Sequence, residues 1–331
     1  MNIFVTGGAG YIGSATAEAL LQAGHSVTVY DSLVTGYRLA VPKGARFVEA
    51  PIEDRRTLTR ALTQQAFDAV LHFAAFIEAG ESMKDPGRFY FNNLANSISL
   101  IETAHLAGVN RFVFSSTAAV YRSSDRPLTE ESPLEPANVY GHTKLMVEQM
   151  LDWYRRVHGI RYAALRYFNA CGSLPGRGEA HQPESHLIPL VLRVPLGQSP
   201  SISIFGTDYP TPDGTCIRDY IHIADLVEAN LLALKALESN DCLVYNVGSG
   251  RGFSVREVID MARRVTGHPI PAVEAPRRPG DSARLVAASD KIRRELGWQP
   301  RHDSLEEIVT SAWDWQKAHP RGYKHKGITI S

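Results

Sequence analysis

Two stretches of this sequence carry side chains whose types and spacing suit acid–base chemistry. Tyr140-Gly141-His142-Thr143-Lys144 sets a phenol and an amine at i and i+4, on one face of a helix. A phenol of pKa about 10 is a poor base at neutral pH, and bringing it near 7 takes about 4 kcal/mol of preferential phenolate stabilisation. One ammonium at about 5 Å, in an effective dielectric near 20, supplies roughly 3 kcal/mol of that. A second positive group must supply the rest. Phe114-Ser115-Ser116-Thr117 adds hydroxyls at the end of an apolar run, where one can hold a reacting oxygen and pass protons to Tyr140. Taken alone, the Tyr–Lys pair also describes an ordinary helix surface.

The start of the chain supplies a partner for this chemistry. Asn2–Thr6 reads as a strand running into Gly7-Gly8-Ala9-Gly10-Tyr11-Ile12-Gly13. Gly7 suits a tight turn, Gly10 close approach to a pyrophosphate, and Gly13 close packing of helix on sheet. The helix N-terminus then offers free N–H groups to phosphates. Asp31 follows the second strand, where a carboxylate bonds an adenosine ribose and repels a 2′-phosphate. The same residue also fits a plain turn, since Ser32 comes next. The pattern predicts NAD rather than NADP, and an oxidised nicotinamide ring is the second cation the phenol needs.

These groups need a scaffold, and periodicity describes one. Asn2–Thr6, Ser26–Tyr30, Arg46–Glu49, Ala69–Ala74, Arg111–Ser115 and Tyr162–Phe168 read as strands, several of them apolar throughout. Helical patterns fall at Ile12–Ala23, Arg55–Gln65, Phe91–Ala107, Tyr140–His158, Ile223–Glu238, Val255–Thr266, Lys291–Leu296 and Leu305–Lys317. The expected fold is α/β: a Rossmann-like doubly wound parallel sheet with a smaller α/β C-terminal substrate domain. Residues 1–169 form the expected NAD-binding domain and 170–331 the second, with 219–223 and 243–247 returning to the main sheet. Gly172–Pro183 and Gly206–Gly214, rich in Gly, Pro and polar residues, read as functional loops.

Lys plus Arg (35) balances Asp plus Glu (35), so no net field draws nucleic acid or anionic lipid. Cys171, Cys216 and Cys242 lack paired or metal-like spacing. No apolar run is long enough to span a bilayer. The reading is a cytoplasmic protein with no nucleic-acid or membrane partner and no metal.

With these motifs in order, the sequence resembles the extended short-chain dehydrogenase/reductase family and, within it, the UDP-glucose (UDP-galactose) 4-epimerases. The resemblance covers nearly the whole length. It rests on Thr6–Ser14, Tyr140–Gln149 and Leu165–Asn169, and more specifically on Ile204–Thr211, Arg218–His222 and Arg277–Asp281. It implies Tyr140 as base, Lys144 as its partner and Thr117 as the hydroxyl. Implied NAD contacts are Gly7, Gly10, Tyr11, Ile12, Gly13, Asp31, Ile52, Phe73, Ala74, Ala75, Asn92, Ser115, Tyr167 and Phe168, beside Tyr140 and Lys144. Implied UDP-sugar contacts are Asn169, His186, Leu187, Ser203, Phe205, Arg218, Tyr220, Arg278, Asp281 and Leu285, beside Thr117 and Tyr140. The chemistry is sensible: arginines match diphosphate oxygens, an aromatic face packs a pyrimidine, and a carboxylate bonds ribose hydroxyls. As residues alone, Arg218 and Arg278 fit surface salt bridges equally well, and Phe205 a core position.

Some positions depart from the family pattern. Pro51 stands where an aspartate often meets adenine, Ile77 where a lysine often reaches the cofactor, Arg122 for a frequent glycine and His186 for a frequent asparagine. The implied activity is reversible 4-epimerisation of a UDP-hexose through a 4-keto sugar. UDP-N-acetylhexosamines, UDP-pentoses and UDP-uronates remain open as substrates, and Leu285 leaves access of N-acetylated sugars undecided. Dehydratases of this family place Asp-Glu after the strand-end threonine; Ala118 and Ala119 stand here. A non-catalytic NAD-binding regulator on the same fold is the alternative of another class, and the retained Tyr140, Lys144 and Thr117 argue against it. The resemblance also implies a homodimer through the helices near Phe91–Ala107 and Tyr140–His158. Leu145, Val147, Met150 and Leu151 suit that interface or the subunit's own core.

Overall fold

The computed structural model describes residues 1–323; the segment 324–331, the end of the expected second domain, lies outside them. Seven strands form one sheet in the order Cys242–Val247, Arg161–Tyr167, Arg111–Thr117, Ala69–His72, Asn2–Thr6, Ser26–Asp31 and Arg46–Glu49. Every neighbouring pair runs parallel. Successive side chains go to opposite faces. Ile3 and Val5 join a core with Ala17, Leu20, Leu226 and Ala233, whereas Phe4 joins another with Leu58, Leu100 and Val147. Both faces are thus covered by helices, which is why the inner strands are apolar nearly throughout. The chain winds outward from Asn2–Thr6 in one direction, then crosses back to Ala69–His72 on its other side. The carboxyl ends of those two strands therefore part to leave a crevice.

Two expected elements are shorter or altered. The strand from Ala69 stops at His72, so Phe73 and Ala74 enter the loop beyond it. The Phe91–Ala107 helix opens as a widened π turn at Tyr90–Ala95 before the α-helix Asn96–Leu106. Such turns redirect side chains and recur at functional sites.

The segment 219–223, expected in the main sheet, is not there. Ile217–His222 lies parallel to Asn169–Cys171 and Arg284–Leu285 and antiparallel to Gly252–Ser254, in a separate small sheet. The edge it would need is taken by Cys242–Val247, which pairs with Arg161–Tyr167 along its whole length. Asp219 is fully buried and accepts bonds from the Ser249, Gly250 and Ala287 amides at 2.8, 2.9 and 3.1 Å. Burial raises that carboxyl to about 6 against those bonds. Helix Ile223–Ala236 then packs on helix Tyr11–Gln22, so the chain leaves the main sheet after Tyr167 and returns to it through that helix and strand Cys242–Val247. A further core, with Ile188, Val191, Val258, Ile259, Ile308 and Val309, lies outside the sheet.

Helix Val139–His158 carries the Tyr140–Lys144 pair. The Asn138 side chain caps it by accepting from Gly141 N at 2.9 Å. A buried ion pair fastens it to strand Arg161–Tyr167: Arg166 Nη2 lies 2.6 Å from Glu148 Oε2, with both side chains under a tenth exposed. Arg166 also donates to the Tyr121 hydroxyl at 2.7 Å, and the Ser116 hydroxyl donates to Glu148. Removing one partner of such a pair strands the other charge in a dry site. Glu148→Ala is therefore expected to lower unfolding free energy by about 3–5 kcal/mol in denaturant titration, and Glu148→Leu with Arg166→Met to recover most of it. An unchanged midpoint in Glu148→Ala would remove the pair from the scaffold.

Candidate active site

The carboxyl ends of the strands open into a cavity of about 1570 Å³, beyond the roughly 300–1,000 Å³ of a pocket for one small ligand. Every residue named above as a cofactor or substrate contact lines it, from Gly7 at one end to Leu285 at the other.

At the glycine end the backbone is packed to contact. Gly7 has a left-handed backbone (φ 71°), and a Cβ on Gly13 would lie 2.2 Å from the Gly7 carbonyl oxygen. Helix Tyr11–Gln22 starts after Gly10 with no side-chain cap, so its first amides stay available to an anion. Asp31 accepts from Ala9 N at 2.9 Å and Leu33 N at 2.8 Å. It is thus a turn aspartate and a cavity-lining one, with lone pairs left on both oxygens. Burial raises its carboxyl and the two amides oppose the rise. Residues 51 and 77 bring no charge, but two lining carboxylates that the sequence reading passed over stand nearby. Glu53 accepts from Asn96 Nδ2 at 3.0 Å and Glu78 from Ile77 N at 3.1 Å. Their signal was position alone, in loops that follow sheet strands.

A glycine-lined turn, an uncapped helix start and a strand-end carboxylate together fit a dinucleotide. Asn92 lines the same end from the π turn, and its neighbour Asn93 holds the loop after His72 through Phe76 N and Phe76 O, at 2.8 and 2.9 Å.

At the centre, Tyr140 keeps part of its surface open to the cavity while Lys144 is almost wholly buried. The Ser82 hydroxyl accepts from Tyr140 N at 3.1 Å and fixes the helix start. Lys144 Nζ donates to the Ser115 carbonyl at 2.7 Å and sits 4.8 Å over the Phe114 ring. Burial pushes the Tyr140 phenol up to about 12; the Thr117 hydroxyl opposes this and Glu78 adds to it. Burial also pushes Lys144 down to about 7, against Glu148. The direction expected for the phenol is therefore not produced by these side chains alone. Lysine does not overcome desolvation, and the phenolate needs a further cation beside it.

The far end is basic and aromatic. The Arg278 guanidinium lies 3.8 Å over the Phe205 ring, and Arg218 Nη2 stands 3.6 Å from Asp281 Oδ1. Asn169 and Tyr220, adjacent in the small sheet, form its floor. His186 pairs through Nδ1 with Glu184 at 2.7 Å. One cluster on this wall was not anticipated: Glu179, His181, Glu184 and His186 bring one donor atom each to within 4.8 Å of the others. Burial disfavours imidazolium at His181, but Glu179 outweighs it and raises the ring to about 9. The signal was the repeated Glu-x-His spacing, its first half inside the Gly172–Pro183 loop and its second just beyond it, where His186 alone was singled out, as a substrate contact.

The helices expected to form an interface show a different apolar face. Leu145, Val147 and Leu151 are buried within the subunit, while Phe91, Ile98, Leu106, Trp153 and Val157 are exposed. Among the described residues no helix is long and apolar enough to cross a membrane.

Known proteins match both sequence and fold. The UDP-glucose 4-epimerases of Streptomyces lividans and Halalkalibacterium halodurans are 48% and 49% identical to this chain, each over 98% of both chains. A structure of the Bifidobacterium longum UDP-glucose 4-epimerase with NAD+ and UDP superposes with a TM-score of 0.94 at 34% identity, covering 98% of this chain and 100% of that one. The family model described as NAD dependent epimerase/dehydratase matches residues 3–248. The chain belongs to the NAD dependent epimerase/dehydratase family.

Proposed function

We infer that this enzyme interconverts UDP-glucose and UDP-galactose by inverting carbon 4 of the sugar, with NAD held at the glycine end and UDP at the arginine end. The observation that carries this is the convergence of Tyr140, Lys144 and Thr117 on one cavity between a dinucleotide cradle and a basic, aromatic wall. The near-full-length likeness to proteins named UDP-glucose 4-epimerase supports it. In this reading Gly7, Gly10, Gly13, Asp31 and Asn92 would hold NAD, which when bound would supply a hydride acceptor and a positive ring.

Tyr140, as phenolate, takes the proton of the sugar 4-hydroxyl and later returns it, while the Thr117 hydroxyl holds the same oxygen. Lys144, one helical turn along and fixed by the Ser115 carbonyl, acts in this reading as an ammonium that favours the phenolate. Arg218, Arg278 and Phe205 grip the UDP moiety so that the 4-keto sugar turns over without leaving. That remote binding energy keeps a neutral ketone in place. Incubation with UDP-galactose, without added reductant, is expected to yield UDP-glucose. Parallel arms with UDP-N-acetylglucosamine, UDP-xylose and UDP-glucuronate read sugar preference, and turnover of none of the four sinks the assignment.

We place the enzyme in the cytoplasm, since its three cysteines are free in the structure, and as a homodimer through the exposed face of Phe91, Ile98, Leu106, Trp153 and Val157.

Tyr140→Phe is expected to lower kcat by roughly 10²–10⁴ while UDP still binds; wild-type kcat would acquit the phenol. Lys144→Met removes a positive charge from the phenolate, so the apparent pKa of Tyr140 rises and the pH–rate profile shifts to higher pH. A profile that stays put would show that Lys144 does not stabilise the phenolate. Trp153→Glu is expected to convert a dimer into monomers in sedimentation velocity, and an unaltered sedimentation coefficient would exclude this face.

A further inference from the structure

We propose that Glu179, His181, Glu184 and His186 form a binding site for a divalent transition-metal ion of the zinc class. Two imidazole nitrogens and two carboxylate oxygens are a donor set that suits zinc, whereas magnesium and calcium favour oxygen alone. The four donor atoms lie within 4.8 Å of one another. Tetrahedral ligands about 2.0–2.1 Å from a zinc ion stand about 3.4 Å apart, so modest side-chain rotation closes the shell. Binding releases the imidazole protons, and the set then carries two negative charges, which a divalent cation cancels.

The surroundings point the same way. The Glu179 and Glu184 side chains are only 10% and 3% exposed; each accepts from two backbone amides through one oxygen and has a histidine, not an arginine or lysine, as its ion-pair partner. His181 Nδ1 is buried 2.6 Å from Glu179 Oε1 yet satisfies no hydrogen bond. A ring nitrogen in that position, turned off the hydrogen-bond line among carboxylate oxygens, has the surroundings of a ligand atom.

The cluster also has a structural task. Its loop is pinned at one end, where Trp315 Nε1 donates to the Glu179 carbonyl at 3.0 Å and the Tyr37 hydroxyl to the Ala180 carbonyl at 2.7 Å. At the other end it enters helix Leu187–Leu192, which borders the UDP end of the cavity. An ion bound by Glu179 and His181 from the first half and by Glu184 and His186 from the second closes the loop on itself and fixes that wall. Four protein ligands leave no open position, so the ion orders the loop and takes no part in the chemistry at Tyr140. The assignment gives the His186 imidazole to the ion, where the resemblance had placed it on the substrate.

The test uses the full chain after treatment with a chelator and dialysis. Titration with Zn²⁺ alone is expected to show one ion bound per chain and a raised thermal midpoint. Co²⁺ in its place is expected to give the intense visible absorption of a tetrahedral complex. His181→Gln and Glu184→Gln are each expected to weaken Zn²⁺ binding at least tenfold, whereas His302→Gln, in an exposed His–Glu pair at the surface, leaves it unchanged. Substoichiometric Zn²⁺ binding by the wild type, a weak six-coordinate Co²⁺ spectrum, or undiminished affinity in the two ligand variants would each overturn the site. The Co²⁺ spectrum needs no variant, so a failure of either to fold leaves the question decidable.

Discussion

Burying a phenol and an amine one helical turn apart sets the terms for the rest of this candidate site. Low dielectric penalises the charged form of each, which is why Tyr140 is driven up to about 12 and Lys144 down to about 7. The protein opposes this with short-range groups: the Ser115 carbonyl on the ammonium, Glu148 behind it, and the Thr117 hydroxyl on the phenol. These lessen the penalty without reversing it. A site built this way is a weak base until a positive group stands beside the phenol.

A parallel sheet makes that arrangement possible. Its strands all end at one edge, so Asp31, Ser115, Thr117 and Tyr167 reach a common cavity from three strands distant in sequence. The helix bearing Tyr140 and Lys144 must lie against this edge without slipping. Its capped start, the Ser82 bond to Tyr140 N and the buried Glu148–Arg166 pair hold it in register. The proposed acid–base groups stand on rigid elements, while the proposed nucleotide contacts come mostly from loops and short strands, where shape can vary with little cost to the core.

The two halves of the cavity are also stitched together. The Tyr11 hydroxyl, from the glycine turn, donates to the Gly172 carbonyl at 2.7 Å, and Tyr37 reaches Ala180 in the same way. Because the chain returns to the main sheet at strand Cys242–Val247, the core outside the sheet grows out of it at two places.

Local rules made much of this legible. A strand, glycines at fixed spacing and a helix start are consecutive in the chain, so Gly7–Gly13 and Asp31 were readable from short-range sterics, and Tyr140 with Lys144 from helix periodicity. Apolar strand runs and helical repeats likewise announced the doubly wound sheet. The path of 219–223 was not readable, because a strand's choice of partner depends on which edge is already filled, and Cys242–Val247 filled it. Nor was the balance of charge at Tyr140, which depends on how completely the fold excludes water. The gathering of Glu179, His181, Glu184 and His186 depended on how their loop is pinned by Trp315 and Tyr37, residues over a hundred positions away. The sequence by itself determined which chemical groups were present and which local turns and helices would carry them. Tertiary structure alone decided which distant groups meet and how dry their meeting place is, because burial and long-range pairing are properties of the packed whole.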